Sequence, residues 1–139
     1  MSPAVRGVVA VILGCLLAFA ITFVIEAINS QIHPLPPGTD LADPASVKMA
    51  MAAMPAAALG VVLAGWFVSA LAGAGLAAHL AKPAGWPPLT VGVLLFAAAV
   101  ANMLMIPHPV WFWVIAVAIY PVATWLGARW GGTPVKTRD

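Results

Sequence analysis

Charged side chains are scarce in this sequence. They make up 7% of its 139 residues, whereas a typical soluble domain carries about a quarter. So few charges could not cover the surface of a water-soluble domain, and that class of protein is excluded. The six Lys and Arg residues stand singly and form no patch or stripe, which argues against a nucleic-acid partner despite a pI near 9.1.

The sequence also has only one cysteine and none of the known catalytic motifs. The single cysteine, Cys15, lies inside an apolar run, so no intrachain disulfide can form and we assign this side chain no role. The sequence contains no GxSxG, HExxH, CxxC or Walker-type motif. No stretch outside the apolar runs is long enough to build a core of its own. We therefore expect a protein that is not an enzyme and needs no cofactor.

Methionine and histidine residues raise the alternative of a copper site. Met residues within 49–54 and 103–105 accompany His33 and His108, and thioethers are ligands that Cu(I) prefers. Methionine is also an ordinary gap-filler in apolar interfaces. Because the sequence has neither a Cys cluster nor two His residues four positions apart, we expect no metal site.

Apolar runs are what the sequence has in abundance, since 63% of its residues are hydrophobic and the mean hydropathy is +1.05. A transmembrane helix needs about 20 mainly apolar residues. Four runs approach or exceed this length, and Pro-rich segments that cannot continue a helix separate them. The first run is too long for the core of a signal peptide, so we count it as a span. The spans are residues 5–28, 54–78, 89–106 and 110–126.

These spans predict an all-α fold, in which a single membrane domain over residues 1–139 forms a four-helix transmembrane bundle. The loop between the first two spans begins with the Pro-rich stretch PLPPGTDLADP at 34–44. The sequence that follows predicts a short interfacial helix, with Asp43 as its N-cap and Pro44 at its first position.

The basic residues predict an orientation. With four spans, five of the six Lys and Arg residues fall on one side and only Lys48 falls on the other. Short cytoplasmic loops carry such an excess. We therefore expect a multi-pass protein of the bacterial inner (cytoplasmic) membrane, with both termini cytoplasmic and the Pro-rich loop outside. The five residues on the cytoplasmic side are Arg6, Lys82, Arg129, Lys136 and Arg138.

Glu26 is the only acidic residue within the spans, and two interpretations of it stay open. It follows Arg6 by 20 residues, about 30 Å along a helix, which is close to the thickness of the hydrocarbon core. It is then either a boundary residue that already meets water or part of an outer polar site. In the second case we expect Asn102, His33 or His108 as its partner. The candidate polar site consists of Glu26, Asn29, His33, Asn102 and His108.

Small residues at four-residue spacing indicate how the first two spans pack. Such residues share one helix face and allow close approach in lipid. On the first span this face continues through Thr22 to Glu26, which directs Glu26 into the bundle. Trp66, well inside the second span, is expected to serve in packing. The helix-packing residues are Gly14 and Ala18 on the first span and Gly65, Ser69 and Gly73 on the second.

Three features carry a resemblance: the late Glu26, the PLPPGTDLADP loop and the IPHPVWFW turn at 106–113. Together they resemble a family of small four-span bacterial inner-membrane proteins whose function is uncharacterised. The resemblance covers the whole chain and implies the same fold, but no chemistry. The small multidrug transporters also have four spans and a functional glutamate in the first. This sequence departs from them in its outer glutamate, its long outer loop and its strong charge bias, so we do not transfer their function.

Two functions from different classes are compatible with this sequence. The first is a non-catalytic membrane protein that acts by association in the lipid bilayer, as an accessory or assembly subunit of a membrane complex or with itself. The alternative is a small-molecule or ion-binding bundle, or a transporter, with an outer site around Glu26. Neither function involves nucleic acid.

Overall fold

Five helices form the fold in a computed structural model, which describes residues 1–82 and 85–132. The described residues contain no strand, and this confirms the predicted all-α class. Four of the helices are long and apolar enough to cross a membrane, and the fifth is short. In chain order they are α1 (Pro3–Ile32), α2 (Pro44–Ala53), α3 (Ala56–Ala81), α4 (Trp86–Met105) and α5 (Val110–Gly132).

The limits of α1 lie outside the predicted run because capping and proline set them, not hydropathy. The Ser2 hydroxyl accepts a hydrogen bond from the Val5 amide at 3.3 Å, and Pro3 occupies the first helical position. At the other end the helix continues to Ile32, because Pro34 disfavours helical backbone at His33. As a result α1 has a polar last turn, and Glu26 lies six residues before its end.

The other long helices also differ from the predicted spans at their ends. α4 begins at Trp86, three residues early, because Pro87 and Pro88 fit a first turn whose amides have no helical partner. α5 continues to Gly132, where the Arg129 guanidinium lies 4.9 Å from the ring centroid of Trp125 one turn earlier. The composition of 131–139, GGTPVKTRD, predicts a short disordered tail, but its first two residues are helical, and 133–139 lie outside the described residues.

The short helix α2 confirms that the segment after the Pro-rich loop is helical, and its position at a membrane interface stays a prediction. The Asp43 carboxylate accepts hydrogen bonds from the amides of Ala45 and Ser46, both at 3.1 Å. Pro44 occupies the first position of the helix. Asp43 thus satisfies two of the amides that a helix start leaves without partners, and Pro44 has no amide hydrogen that needs one.

Helix α3 lies at the centre of the bundle. It packs against α1 on one side and α5 on the other, and α4 contacts all three. We call the end of the bundle that holds Pro3 and Gly132 the terminal end. The opposite end, where α1 finishes and α5 begins, is the loop end.

Glycines bring α3 into backbone contact with both neighbours. A Cβ built on Gly14 of α1 would lie 2.7 Å from the Gly73 carbonyl oxygen, and one built on Gly73 would lie 2.7 Å from the Gly14 carbonyl oxygen. Similarly, a Cβ on Gly127 of α5 would meet the Leu71 carbonyl oxygen. The absence of side chains at these positions therefore sets how closely α1 and α5 approach α3.

Candidate functional site

A cavity of about 130 Å³, lined by both polar and apolar side chains, lies among the four long helices. α3 and α5 form its floor through buried Trp66, Ser69 and Tyr120. Its mouth is on the flank of the bundle between α1 and α4, where the exposed lining residues lie. We call it the Glu26 cavity. Its lining is Phe19, Thr22, Glu26, Trp66, Ser69, Leu95, Ala98, Ala99, Asn102 and Tyr120.

Glu26 lies at the mouth of this cavity and is bound to the floor. The indole Nε1–H of Trp66 donates a hydrogen bond of 3.0 Å to Oε1 of Glu26. Trp66 is buried and follows the start of α3 by ten residues, about 15 Å along the helix. The hydrogen bond therefore draws the carboxylate toward the interior of the bundle, while the rest of the Glu26 side chain stays exposed.

Two hydroxyl groups form the next polar layer toward the terminal end. The Ser69 hydroxyl donates to the Gly65 carbonyl oxygen at 2.7 Å, and 2.7 Å separates its oxygen from Thr22 Oγ1. Because Ser69 has one proton and uses it on Gly65, Thr22 is the donor in the second bond. These two hydrogen bonds join α1 to α3 one turn from Glu26. They also keep the lone pairs of the Thr22 hydroxyl directed away from Ser69.

Aromatic rings surround the indole of Trp66. Its ring centroid lies 5.4 Å from that of Phe112 in an edge-to-face arrangement and 6.2 Å from that of Tyr120. Phe112 and Tyr120 are both buried. The aromatic contacts fix the plane of the indole, and they thereby fix the direction of the N–H group that binds Glu26.

Asn102 is the second predicted site residue in the cavity. Its half-buried side chain is part of the α4 wall, across the mouth from Glu26. Within the described residues the side-chain amide of Asn102 makes no hydrogen bond. Glu26, in turn, makes no hydrogen bond to Asn102, His33 or His108. The expected partners of Glu26 are thus replaced by Trp66, because the indole is long enough to reach the carboxylate from the centre of α3.

Asn29 and His33 lie apart from the cavity. Asn29 is buried between α1 and α3, where its Nδ2 donates a 3.1 Å hydrogen bond to the Ala58 carbonyl oxygen. Its Oδ1 is buried and has no partner among the described residues. His33 is the first residue after α1, and its backbone amide donates a hydrogen bond to the Asn29 carbonyl oxygen.

His108 lies in the turn between α4 and α5, where burial disfavours its charged form. The ring stacks on Phe112 with centroids 4.4 Å apart, and Nδ1 donates a 2.6 Å hydrogen bond to the Ile106 carbonyl oxygen. Burial lowers the pKa of His108, and the Ile106 hydrogen bond and the negative charge of Glu26 oppose that shift only in part. The side chain lines a different, more apolar pocket with Lys48 and Met51.

The structure thus brings Glu26 and Asn102 into one cavity and leaves Asn29, His33 and His108 outside it. The cavity side chain that the sequence assigned to packing is Trp66. One signal pointed to it, since it is the only Trp in the sequence that lies far from a span end. Of the helix-packing residues, Gly14, Ala18 and Gly73 meet at the α1–α3 contact, Gly65 packs against Ile25, and Ser69 belongs to the cavity.

Comparisons with protein families, curated proteins and solved structures find no match for this chain. The geometry of the cavity is therefore the basis for functional inference.

Proposed function

We propose that this is a multi-pass protein of the bacterial cytoplasmic membrane that binds a small cation through Glu26. The observation that carries the proposal is the position of this carboxylate. Glu26 is the only acidic residue in the four long helices, and it lies in a cavity where one of its oxygens is already held by Trp66. The second oxygen has no hydrogen-bond partner among the described residues and is free to bind a ligand.

Electrostatics supports a cation as the ligand. A carboxylate at the centre of a bilayer costs about 2.5–3.5 kcal/mol or more, and the cost falls toward the interface. One neutral indole N–H offsets only part of this cost. A bound cation would neutralise the carboxylate, whereas a bound anion would increase the cost of burying it. Asn102 and Thr22, which line the same cavity, supply neutral oxygens.

The donors favour a monovalent cation. Ca²⁺ takes six to eight oxygen ligands, usually with several carboxylates. Within the described residues no three His, Cys, Asp or Glu side chains come together. One carboxylate with neutral oxygens balances a single positive charge. Monovalent inorganic ions, protons and protonated amines all belong to this class.

The orientation in this proposal comes from the basic residues. Arg6 and Lys82 meet at the terminal end, where an Arg6 guanidinium nitrogen donates a 3.1 Å hydrogen bond to the Lys82 carbonyl oxygen. Positive charge next to short loops favours the cytoplasmic side. We therefore propose that the terminal end is cytoplasmic and that the Glu26 cavity lies in the outer half of the membrane. Reaction of cysteines placed at Asp40 and Ala4 with an impermeant thiol reagent, in a Cys15→Ser background, tests this, and labelling from outside at position 4 alone would reverse it.

Cation binding is tested with purified protein in lipid nanodiscs. A panel of Na⁺, K⁺, methylammonium and octylammonium is titrated against wild type, Glu26→Gln and the matched control Asp40→Asn. Asp40 lies in the loop outside the four long helices, so its variant should bind like wild type. We expect at least one cation to bind wild type and to lose at least tenfold in affinity in Glu26→Gln. Identical binding by all three proteins would refute the proposal and leave Glu26 as a boundary residue.

An accessory subunit is the second candidate function. It is favoured by the exposure of α1, in which 5 of 30 residues are buried, against 12 of 26 in α3. The small-residue faces, however, are used within the fold, since Gly14 and Gly73 contact each other. What α1 presents outward is mainly large apolar side chains, which lipid also covers. Extraction in a mild detergent tests this function, and migration as a lone monomer with no co-purifying subunit would exclude it.

A further inference from the structure

The Glu26 cavity opens sideways. Its buried lining residues belong to α3, α5 and the inner side of α4, whereas its exposed ones, Phe19, Glu26 and Ala98, belong to α1 and α4. Toward the loop end, the core is filled by Met103 and Phe112, both almost fully buried. The accessible approach to Glu26 is therefore the gap between α1 and α4, on a flank of the bundle.

The walls of the cavity combine a carboxylate with aromatic rings. Phe19, Trp66 and Tyr120 line the space next to Glu26. An aromatic face attracts a cation that has lost its water, and Trp does so most strongly. Inorganic ions such as Na⁺ gain little from such walls, because they need oxygen ligands in place of their hydration shell. An alkylammonium group suits both features, since its charge pairs with Glu26 and its methylene groups contact the rings.

We infer that the ligand is a lipophilic organic ammonium that reaches Glu26 from the bilayer through the gap between α1 and α4. This inference rests on the proposed cation-binding function and specifies its ligand class. The volume of about 130 Å³ is slightly below the roughly 150 Å³ of an apolar cavity that accommodates benzene. The ammonium head and its first carbons therefore fill the cavity, and the rest of the chain extends through the mouth into lipid.

Three probes separate charge from lipophilicity. Octylammonium has both the charge and the tail, methylammonium has the charge alone, and octan-1-ol has the tail alone. Binding is measured by equilibrium dialysis with the protein in phosphatidylcholine nanodiscs, and uptake by empty nanodiscs is subtracted. We expect octylammonium to bind at least tenfold more tightly than methylammonium and to be displaced by neither octan-1-ol nor Na⁺. Glu26→Gln should weaken octylammonium binding at least tenfold.

Two neighbouring alanines on α4 test the route. Ala98 lines the mouth of the cavity, whereas Ala97 is also exposed but lies outside the lining. Ala98→Phe should obstruct the gap and weaken octylammonium binding at least tenfold, while Ala97→Phe should bind like wild type. Circular dichroism and gel filtration confirm that each variant is folded, and octylammonium binding to Asp40→Asn serves as a second control.

The outcomes distinguish this inference from the proposed function. If Na⁺, K⁺ or methylammonium binds as tightly as octylammonium in a Glu26-dependent way, the function stands and the lipophilic ligand is refuted. If Ala98→Phe binds octylammonium as wild type does, the lateral route is refuted. If no cation binds wild type better than Glu26→Gln, the inference and the function fail together.

Discussion

Because Gly14 contacts Gly73, a Gly→Ala substitution should destabilise the protein at position 14 but not at position 60. In Gly14→Ala the new methyl group would lie 2.7 Å from the Gly73 carbonyl oxygen, while ordinary contact begins at 3.4 Å. Because the obstacle is backbone, α1 must move away by several tenths of an ångström. Overpacking of this kind costs about 1–3 kcal/mol. Replacing a helical Gly by Ala also returns roughly 0.5–1 kcal/mol through backbone entropy.

Gly60 isolates the second effect. It lies in α3, and a Cβ placed on it meets nothing within 4 Å. Gly60→Ala should therefore be neutral or stabilise the protein by up to about 1 kcal/mol. The difference between the two variants is the cost of separating α1 from α3, about 1–3 kcal/mol.

The assay is reversible unfolding in mixed micelles by titration with sodium dodecyl sulfate, followed by circular dichroism. We expect the midpoint of Gly14→Ala to fall below wild type and that of Gly60→Ala to equal or exceed it. A second readout is octylammonium binding, which should weaken in Gly14→Ala because displacement of α1 moves Glu26 away from Trp66. Free energies of unfolding for the two variants within about 0.5 kcal/mol of each other would contradict the close packing of α1 on α3.

Three further predictions concern single side chains. Because burial lowers the His108 pKa below its ordinary 6.5, the unfolded chain takes up the proton first as pH falls, and folded-state stability is lost below about pH 6.5. The melting temperature of wild type should then drop more between pH 7 and 5 than that of His108→Phe, which keeps the ring stack, and parallel curves would contradict this. Thr22→Val removes the bond to Ser69 and should lower the free energy of unfolding by about 0.6 kcal/mol, a typical value between membrane helices, with no change expected if the hydroxyl pair is not formed. A lipid-soluble carbodiimide should modify Glu26 in membranes and a water-soluble one should not, and equal labelling by mass spectrometry would place the carboxylate in water.

The four long helices could be predicted because each rests on a single property of the sequence, a run of apolar residues between prolines. Their ends could not be read from the same property. α1 continues four residues past the predicted span because the helix ladder is interrupted by Pro34 and not by the polarity of Asn29 or Gln31. The N-cap of α2 was predictable since Asp43 and Pro44 act on their own first turn.

Only part of the lining of the Glu26 cavity could be selected from the sequence, because its residues depend on different kinds of contact. Glu26 and Asn102 stand out as polar groups near span ends, so each could be selected without knowledge of its neighbours. The Trp66 partner depends on the register of α1 against α3. If Gly14 faces Gly73, then Glu26, twelve residues on, faces about residue 61, and Trp66 lies about 7.5 Å deeper. The length and direction of the indole cover that difference, and sequence spacing does not contain this information.

The two glycine-lined sides of α3 also determine which part of the molecule can move. α1 and α5 meet α3 through backbone atoms, at Gly73 and Leu71, and backbone cannot yield by changing rotamer. The glycine contacts of α4 are with side chains: its Trp86 and Val91 pack on glycines of α1, and its Gly92 packs on Thr124. Side chains can change rotamer at modest cost. The helices α1, α3 and α5 thus form a rigid unit. If the cavity beside Glu26 had to widen for a larger ligand, α4 is the helix that would move.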